Sequence, residues 1–198
     1  GYLVVQKFLE THNRVRSTIE NYSTSSNFYN RQIFDNYKEC PSVWSIVELL
    51  GFSDFIDFYA HYYEFFNLKC EYTPHFDSVR RLRNAAAHNA CMLSNFKSQN
   101  WFHSDIETNF ELLGANIGIG NGIITTCMKI PVLNDFAVML ANYTKLISSP
   151  KVKEKTFEEM KAFFDGRMIL HKEYFENISE IKNAYTFARS VLEFYSKK

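Results

Sequence analysis

Seven glycines and four prolines in 198 residues leave little material for turns, and an all-β chain needs many. An all-α fold is the consequence. Metal-ligand spacing is missing as well. Cys40, Cys70, Cys91 and Cys127 lie far apart with no Cys-x-x-Cys pair, and the six histidines form no His-x-x-x-His pair. Neither a zinc knuckle nor a disulfide framework is encoded; the thiols read as reduced and mostly buried, and no metal or other cofactor is expected. No apolar run approaches the ~20 residues of a membrane span, and no signal peptide opens the chain. This predicts a cytoplasmic protein with no membrane partner. Neither sign of charge is in excess, because 22 Lys and Arg balance 22 Asp and Glu. That argues against broad electrostatic coating of a nucleic acid.

What is abundant is ring-bearing side chains, with 19 Phe and 12 Tyr, so the core is expected to pack large rings. The length suits one well-buried domain, or one domain with a helical appendage. Within it one run stands apart: Arg80-Arg81-Leu82-Arg83-Asn84-Ala85-Ala86-Ala87-His88-Asn89. Asn84 and His88 are four residues apart, so on a helix they share a face, with Arg80 one turn further back in the same row. Arg83 is five residues from His88, about 140° around an ideal helix. Either the helix is distorted here or a site is shared between two copies. The three alanines allow another backbone to approach closely while helix propensity stays high.

No acidic residue occurs from Ser78 to Ser104, whereas Arg80, Arg81, Arg83 and Lys97 all fall there. A focused phosphate pocket fits this local excess of positive charge. A solvated arginine face with a hydrogen-bonded structural histidine fits the same residues. RNA carries its own nucleophile, the 2′-hydroxyl, so its cleavage needs a proton-transfer group and a cation at the phosphate. Histidine titrates near neutrality and suits the first task. A guanidinium presents a rigid fork of donors for the second.

The segment Arg83-Asn84-Ala85-Ala86-Ala87-His88 resembles the Arg-(x)4-His signature, with a polar residue after the arginine, of the HEPN superfamily of helical RNases. Upstream, Pro41-Ser42-Val43-Trp44-Ser45-Ile46-Val47-Glu48-Leu49-Leu50-Gly51-Phe52-Ser53 is similar to the Pro/Trp/Glu-Leu-Leu-Phe segment of Abi-like abortive-infection proteins of bacteria. The likeness covers about residues 30 to 147. It implies a HEPN-like helical bundle with additional C-terminal helices at about 151–198, all within one domain. It also implies a metal-independent endoribonuclease toxin of anti-phage or toxin-antitoxin type, working as a homodimer whose Arg/His motifs meet at the interface. Carried over by position, Arg83 binds and neutralises phosphate, Asn84 orients the site and His88 transfers protons. Arg80, Arg81, Asn89 and Lys97 are expected RNA contacts, and an antitoxin of RNA or protein is an expected partner. Relatives tend to continue with a second histidine where Asn89 stands, so the likeness does not extend to substrate preference. A non-catalytic helical module that binds RNA or a partner protein is the alternative.

The helical reading runs along the chain. A helix is expected over about Tyr2 to Tyr22, and a loop over Ser23 to Asn27. The first helix begins without a cap and relatives carry more sequence before it, which predicts a piece of a longer protein. Short buried helix Trp44 to Leu50 follows Pro41 and stops at Gly51. Ser53 caps a ring-rich helix through about Phe66, whose aromatics read as core, with base stacking by Tyr62 or Tyr63 as the sharper option. Thr73 and Pro74 start a signature helix expected to continue past His88 to about Phe96, before a connection at Asn100 to His103. Gly114 to Gly122 lacks the Gly-Lys-Ser/Thr ending of a phosphate loop and reads as a connection. A buried helix spans about Ile123 to Ile147 with a bend at Pro131. The capping box Thr156 to Glu159 opens another that Gly166 ends, and a last helix reaches about Tyr195.

Overall fold

The computed structural model describes residues 1–70, 73–92, 97–98 and 106–198. Among the described residues there are eleven α-helices and no strand, so the all-α expectation holds. The helices fall into two compact units, Gly1–Pro74 and His75–Lys198.

The first unit contains α1 (Tyr2–Thr11), α2 (Asn13–Glu20), a 3-10 turn at Asn21–Thr24, α3 (Phe28–Tyr37), α4 (Val43–Leu49) and α5 (Phe52–Phe65). The single helix expected over Tyr2 to Tyr22 is broken at His12, whose φ of −116° and ψ of 69° leave helical space. The His12 ring lies against Phe8 with centroids 4.1 Å apart, and its Nδ1 is 2.9 Å from the Phe8 carbonyl oxygen. Val4, Val5, Phe8, Val15, Ile19, Ile46, Leu49 and Phe58 form the core. α4 begins after Ser42. The Ser42 hydroxyl accepts from the Ser45 amide at 3.2 Å, and the Ser45 hydroxyl accepts from the Ser42 amide at 2.9 Å. Two otherwise orphaned donors are satisfied by this exchange. Trp44, expected to be buried here, is 52 % exposed and stands edge-on to Tyr37. Along α5, Phe58 is core, Phe55, Tyr59, Tyr62 and Tyr63 are half-buried, and Phe65 and Phe66 are exposed.

α6 (Thr73–Ala87) spans the boundary. The second unit continues with α7 (Ile106–Gly114), α8 (Asn121–Met128), α9 (Pro131–Leu146), α10 (Pro150–Asp165), 3-10 turns at Arg167–Ile169 and Lys172–Tyr174, and α11 (Ser179–Tyr195). The buried helix expected over Ile123 to Ile147 is two helices, because Pro131 lacks an amide proton and fits only a first turn. Their axes meet at 102°. Residues 115–120 connect α7 to α8. α10 starts at Pro150, six residues before the capping-box pattern. Thr156 is therefore interior to the helix, and its hydroxyl accepts a hydrogen bond from the Tyr143 hydroxyl at 2.8 Å. Gly166 does end α10, since a Cβ there would stand 2.8 Å from the Ala162 carbonyl oxygen.

α10 and α11 contribute to the core of the second unit. Phe157 and Phe164 from α10 and Phe187, Val191, Leu192 and Tyr195 from α11 share one buried cluster with Leu112, Ile124, Met128, Leu133 and Leu140. Positions 184, 187, 188, 191, 192 and 195 repeat at the three- and four-residue spacing that makes one apolar stripe. Arg189 then fastens α11 to the end of α10 with Nε and a terminal nitrogen on the two Asp165 carboxylate oxygens, at 2.8 and 3.0 Å. Among the described residues no single helix is long and apolar enough to cross a membrane.

Candidate functional site

α6 carries the signature, and its two sides differ in kind. One side holds the helix in place through polar contacts to α9. His75 is buried, with Nδ1 3.0 Å from Asn142 Oδ1. Six residues further along, Arg81 Nε and a terminal nitrogen donate to the two oxygens of Asp135 at 2.9 and 2.6 Å. The same terminal nitrogen donates to Ser78 Oγ at 3.0 Å. Asp135 is 3 % exposed. Its hydrogen bonds to Arg81 raise the guanidinium pKa, against a partial loss of solvation, and its negative charge acts in the same direction. Arg80 is paired within the helix to Asp77 at 2.7 Å.

The other side faces water. Arg83, Ala86, Ala87, His88 and Asn89 are exposed, and Asn84 and Ala85 half-buried. A terminal nitrogen of Arg83 donates to Asn84 Oδ1 at 3.2 Å. Among the described residues Arg83 meets no carboxylate, in contrast to Arg80 and Arg81. The backbone amide of His88 still donates to the Asn84 carbonyl at 3.0 Å.

The helix was expected to run on to about Phe96; it ends at Ala87. Asn89 takes φ of 50°, the left-handed region. Its amide donates to the Ala86 carbonyl at 3.2 Å, and the Ala90 amide donates to the Ala85 carbonyl at 2.9 Å. These two bonds are the Schellman arrangement, with Asn89 as the left-handed residue just past the cap. His88 is therefore the capping residue and not an interior one.

The expected residues thus separate into three groups. Arg83, Asn84 and His88 lie together at the exposed end of α6. Arg81, expected as an RNA contact, is committed to Asp135, and Asn89, expected likewise, serves as a helix stop. Arg80 is half-buried and paired with Asp77, while Lys97 is exposed between segments 93–96 and 99–105. Those segments, with the expected end of the signature helix at Phe96 and the connection at Asn100 to His103, lie outside the described residues. Asp135 and Asn142 were not foreseen. The signal for them was an Asn and an Asp seven residues apart inside an otherwise apolar stretch.

Cys127 is buried as expected, but Cys40 and Cys91 are exposed and Cys70 is half-buried. Among the described residues no group of three or more His, Cys, Asp and Glu is placed to hold a metal ion. Compared with protein-family models, with curated proteins and with solved structures, the chain matches none.

Proposed function

We propose that this chain is a metal-independent endoribonuclease of the Abi-like, HEPN type, with Arg83, Asn84 and His88 as its reactive group. The observation that carries the reading is the exposed end of α6. There a guanidinium without a carboxylate partner among the described residues, an amide hydrogen-bonded to it and an imidazole stand within six consecutive residues. The neighbouring arginines are held by Asp77 and Asp135. A cation whose donors are not taken by a carboxylate has them available for a phosphate.

In the reaction the RNA 2′-hydroxyl oxygen attacks the adjacent phosphorus and loses its proton. The bond from phosphorus to the 5′ oxygen breaks, and that oxygen gains a proton. His88 supplies one of these transfers. Arg83 stabilises the charge on the non-bridging phosphate oxygens, and Asn84 orients Arg83 through their hydrogen bond. Two copies of the site in a homodimer would supply a second imidazole for the other transfer, and exposed Ala86 and Ala87 would let two α6 helices approach. A growth-arresting role in bacterial defence, a cytoplasmic location and control by an antitoxin belong to the same proposal.

The test is cleavage of labelled RNA in EDTA by the unaltered chain, by His88→Ala and by Arg83→Ala. Positioned proton transfer is worth ~100- to 10,000-fold, so His88→Ala should lose at least about 100-fold in rate with its helical content unchanged. Full cleavage by a pure His88→Ala preparation would remove the mechanism. Salt-sensitive binding without turnover by all three would point instead to a non-catalytic RNA-binding module. Sedimentation at micromolar concentration tests the shared site, and a monomer alone would count against it.

A further inference from the structure

We propose that Asp135 is a positioning residue for the signature helix, setting from α9 the rotation of α6 and so the direction in which Arg83, Asn84 and His88 face. The inference rests on the reading of that triplet as the reactive group and adds a residue that touches none of it.

The geometry has two anchors. Asp135 receives the fork of Arg81 on both its oxygens, and Asn142, seven residues further along α9, meets His75, six residues earlier on α6. The contacts run in opposite order on the two helices, so α6 and α9 are antiparallel. The anchors are about 10 Å apart along the axis at ~1.5 Å rise per residue. One anchor leaves a helix free to turn; two, six residues and about 120° apart around α6, do not. A one-residue slip turns a helix by about 100° and would separate both pairs.

Rotation matters because of where the triplet sits relative to Arg81. Arg83 is two residues on, about 200° around, and therefore points away from α9. His88 is seven residues on, about two turns, which returns it to the Arg81 side near the end of the helix. Asp135 lies only four residues after Pro131, the first residue of α9. From Asp135 back to that start is ~6 Å, while from Arg81 out to His88 is ~10 Å. By these lengths His88 lies beyond the first residue of α9.

An ion pair with one buried partner is weak evidence of stabilisation, because desolvating the charge offsets much of the attraction. A bidentate fork is directional, however, and a lysine in its place would keep the charge and lose the direction. The pair is built for orientation more than for strength.

The experiment uses Asp135→Asn, which keeps the shape and removes the charge and one acceptor, and Arg81→Lys, which keeps the charge and removes the fork. Amide hydrogen exchange over residues 82–90 is compared with that over α11, and RNA cleavage is measured as kcat and KM separately. Both variants should exchange about tenfold faster over 82–90 with α11 unchanged, and kcat for Asp135→Asn should fall about tenfold or more with KM near its original value. Unchanged exchange over 82–90 in both variants would overturn the proposal. So would faster exchange with kcat intact. If the unaltered chain cleaves no RNA, the RNase reading fails by itself, and the exchange result alone decides whether Asp135 holds α6. If Asp135→Asn does not fold, Arg81→Lys decides it in the same way.

Discussion

Replacing Asn89 tests whether the end of the signature helix is built as described. The residue has φ of 50° and closes α6 through the Asn89–Ala86 and Ala90–Ala85 bonds. Left-handed backbone costs an ordinary L-residue about 1–2 kcal/mol, and Asn less, because its short amide interacts locally. A β-branched residue is the worst occupant. Asn89→Val should therefore lose about 1–2 kcal/mol from strain alone, and about 2–5 kcal/mol if the two backbone bonds also weaken at ~0.5–1.5 kcal/mol each. Fraying of the last turn caps the loss, since the chain can release that turn instead of bearing the strain. Asn89→Gly has no Cβ to strain and should lie within about 1 kcal/mol of the original in either direction. Urea unfolding gives the global difference. Hydrogen exchange at the Asn89 and Ala90 amides gives the local one, with faster exchange expected for Val and near-original exchange for Gly. Because His88 is the adjacent residue, Asn89→Val should also slow RNA cleavage more than it weakens RNA binding. A Val variant as stable as the Gly variant, with both amides equally protected, would refute the argument.

Phe187 is fully buried in the second unit, so Phe187→Ala should cost about 3–5 kcal/mol in urea unfolding; a loss under about 1 kcal/mol would contradict the core described for α11. Burial pushes the Cys127 thiol from an ordinary 9.0 up to about 11. The unfolded thiol ionises first, so the folded state holds its proton more tightly. This contribution is complete below about pH 9 and lost as pH rises through about 11. Unfolding midpoints should fall over that range in the original chain and fall less in Cys127→Ala. In a thiol-labelling assay near pH 8, exposed Cys40 and Cys91 should react well before Cys127.

Local chemistry was the legible part of the sequence. Scarce glycine and proline announced helices, Pro131 and Gly166 marked boundaries through their backbones, and Arg83, Asn84 and His88 were placed on one helix, though in its interior and not at its end. Two kinds of feature were misread. Where two local signals competed, the weaker was followed: Thr156 to Glu159 looks like a helix start, but Ser149 and Pro150 had already opened α10. Asn89 was expected as a substrate contact, and its place as the helix stop was not legible, because only the backbone angle shows it. Features set by distant residues could not be read at all. Arg81 meets Asp135 across 54 positions, and no local pattern says which arginine in a run of three is paired with a distant carboxylate. What α10 and α11 pack against was not legible for the same reason, since an amphipathic helix does not state what covers its apolar stripe.

The most direct measurement of the central claim is the chemistry of the ends produced from a labelled RNA incubated with the chain in EDTA, alongside the same oligonucleotide bearing a single 2′-deoxy or 2′-methoxy nucleotide at the cleaved position. Attack by the 2′-hydroxyl predicts a 2′,3′-cyclic phosphate and a 5′-hydroxyl, with no cut at the modified nucleotide and none by His88→Ala. Cleavage of the modified substrate, or 5′-phosphate ends from RNA, would contradict the account.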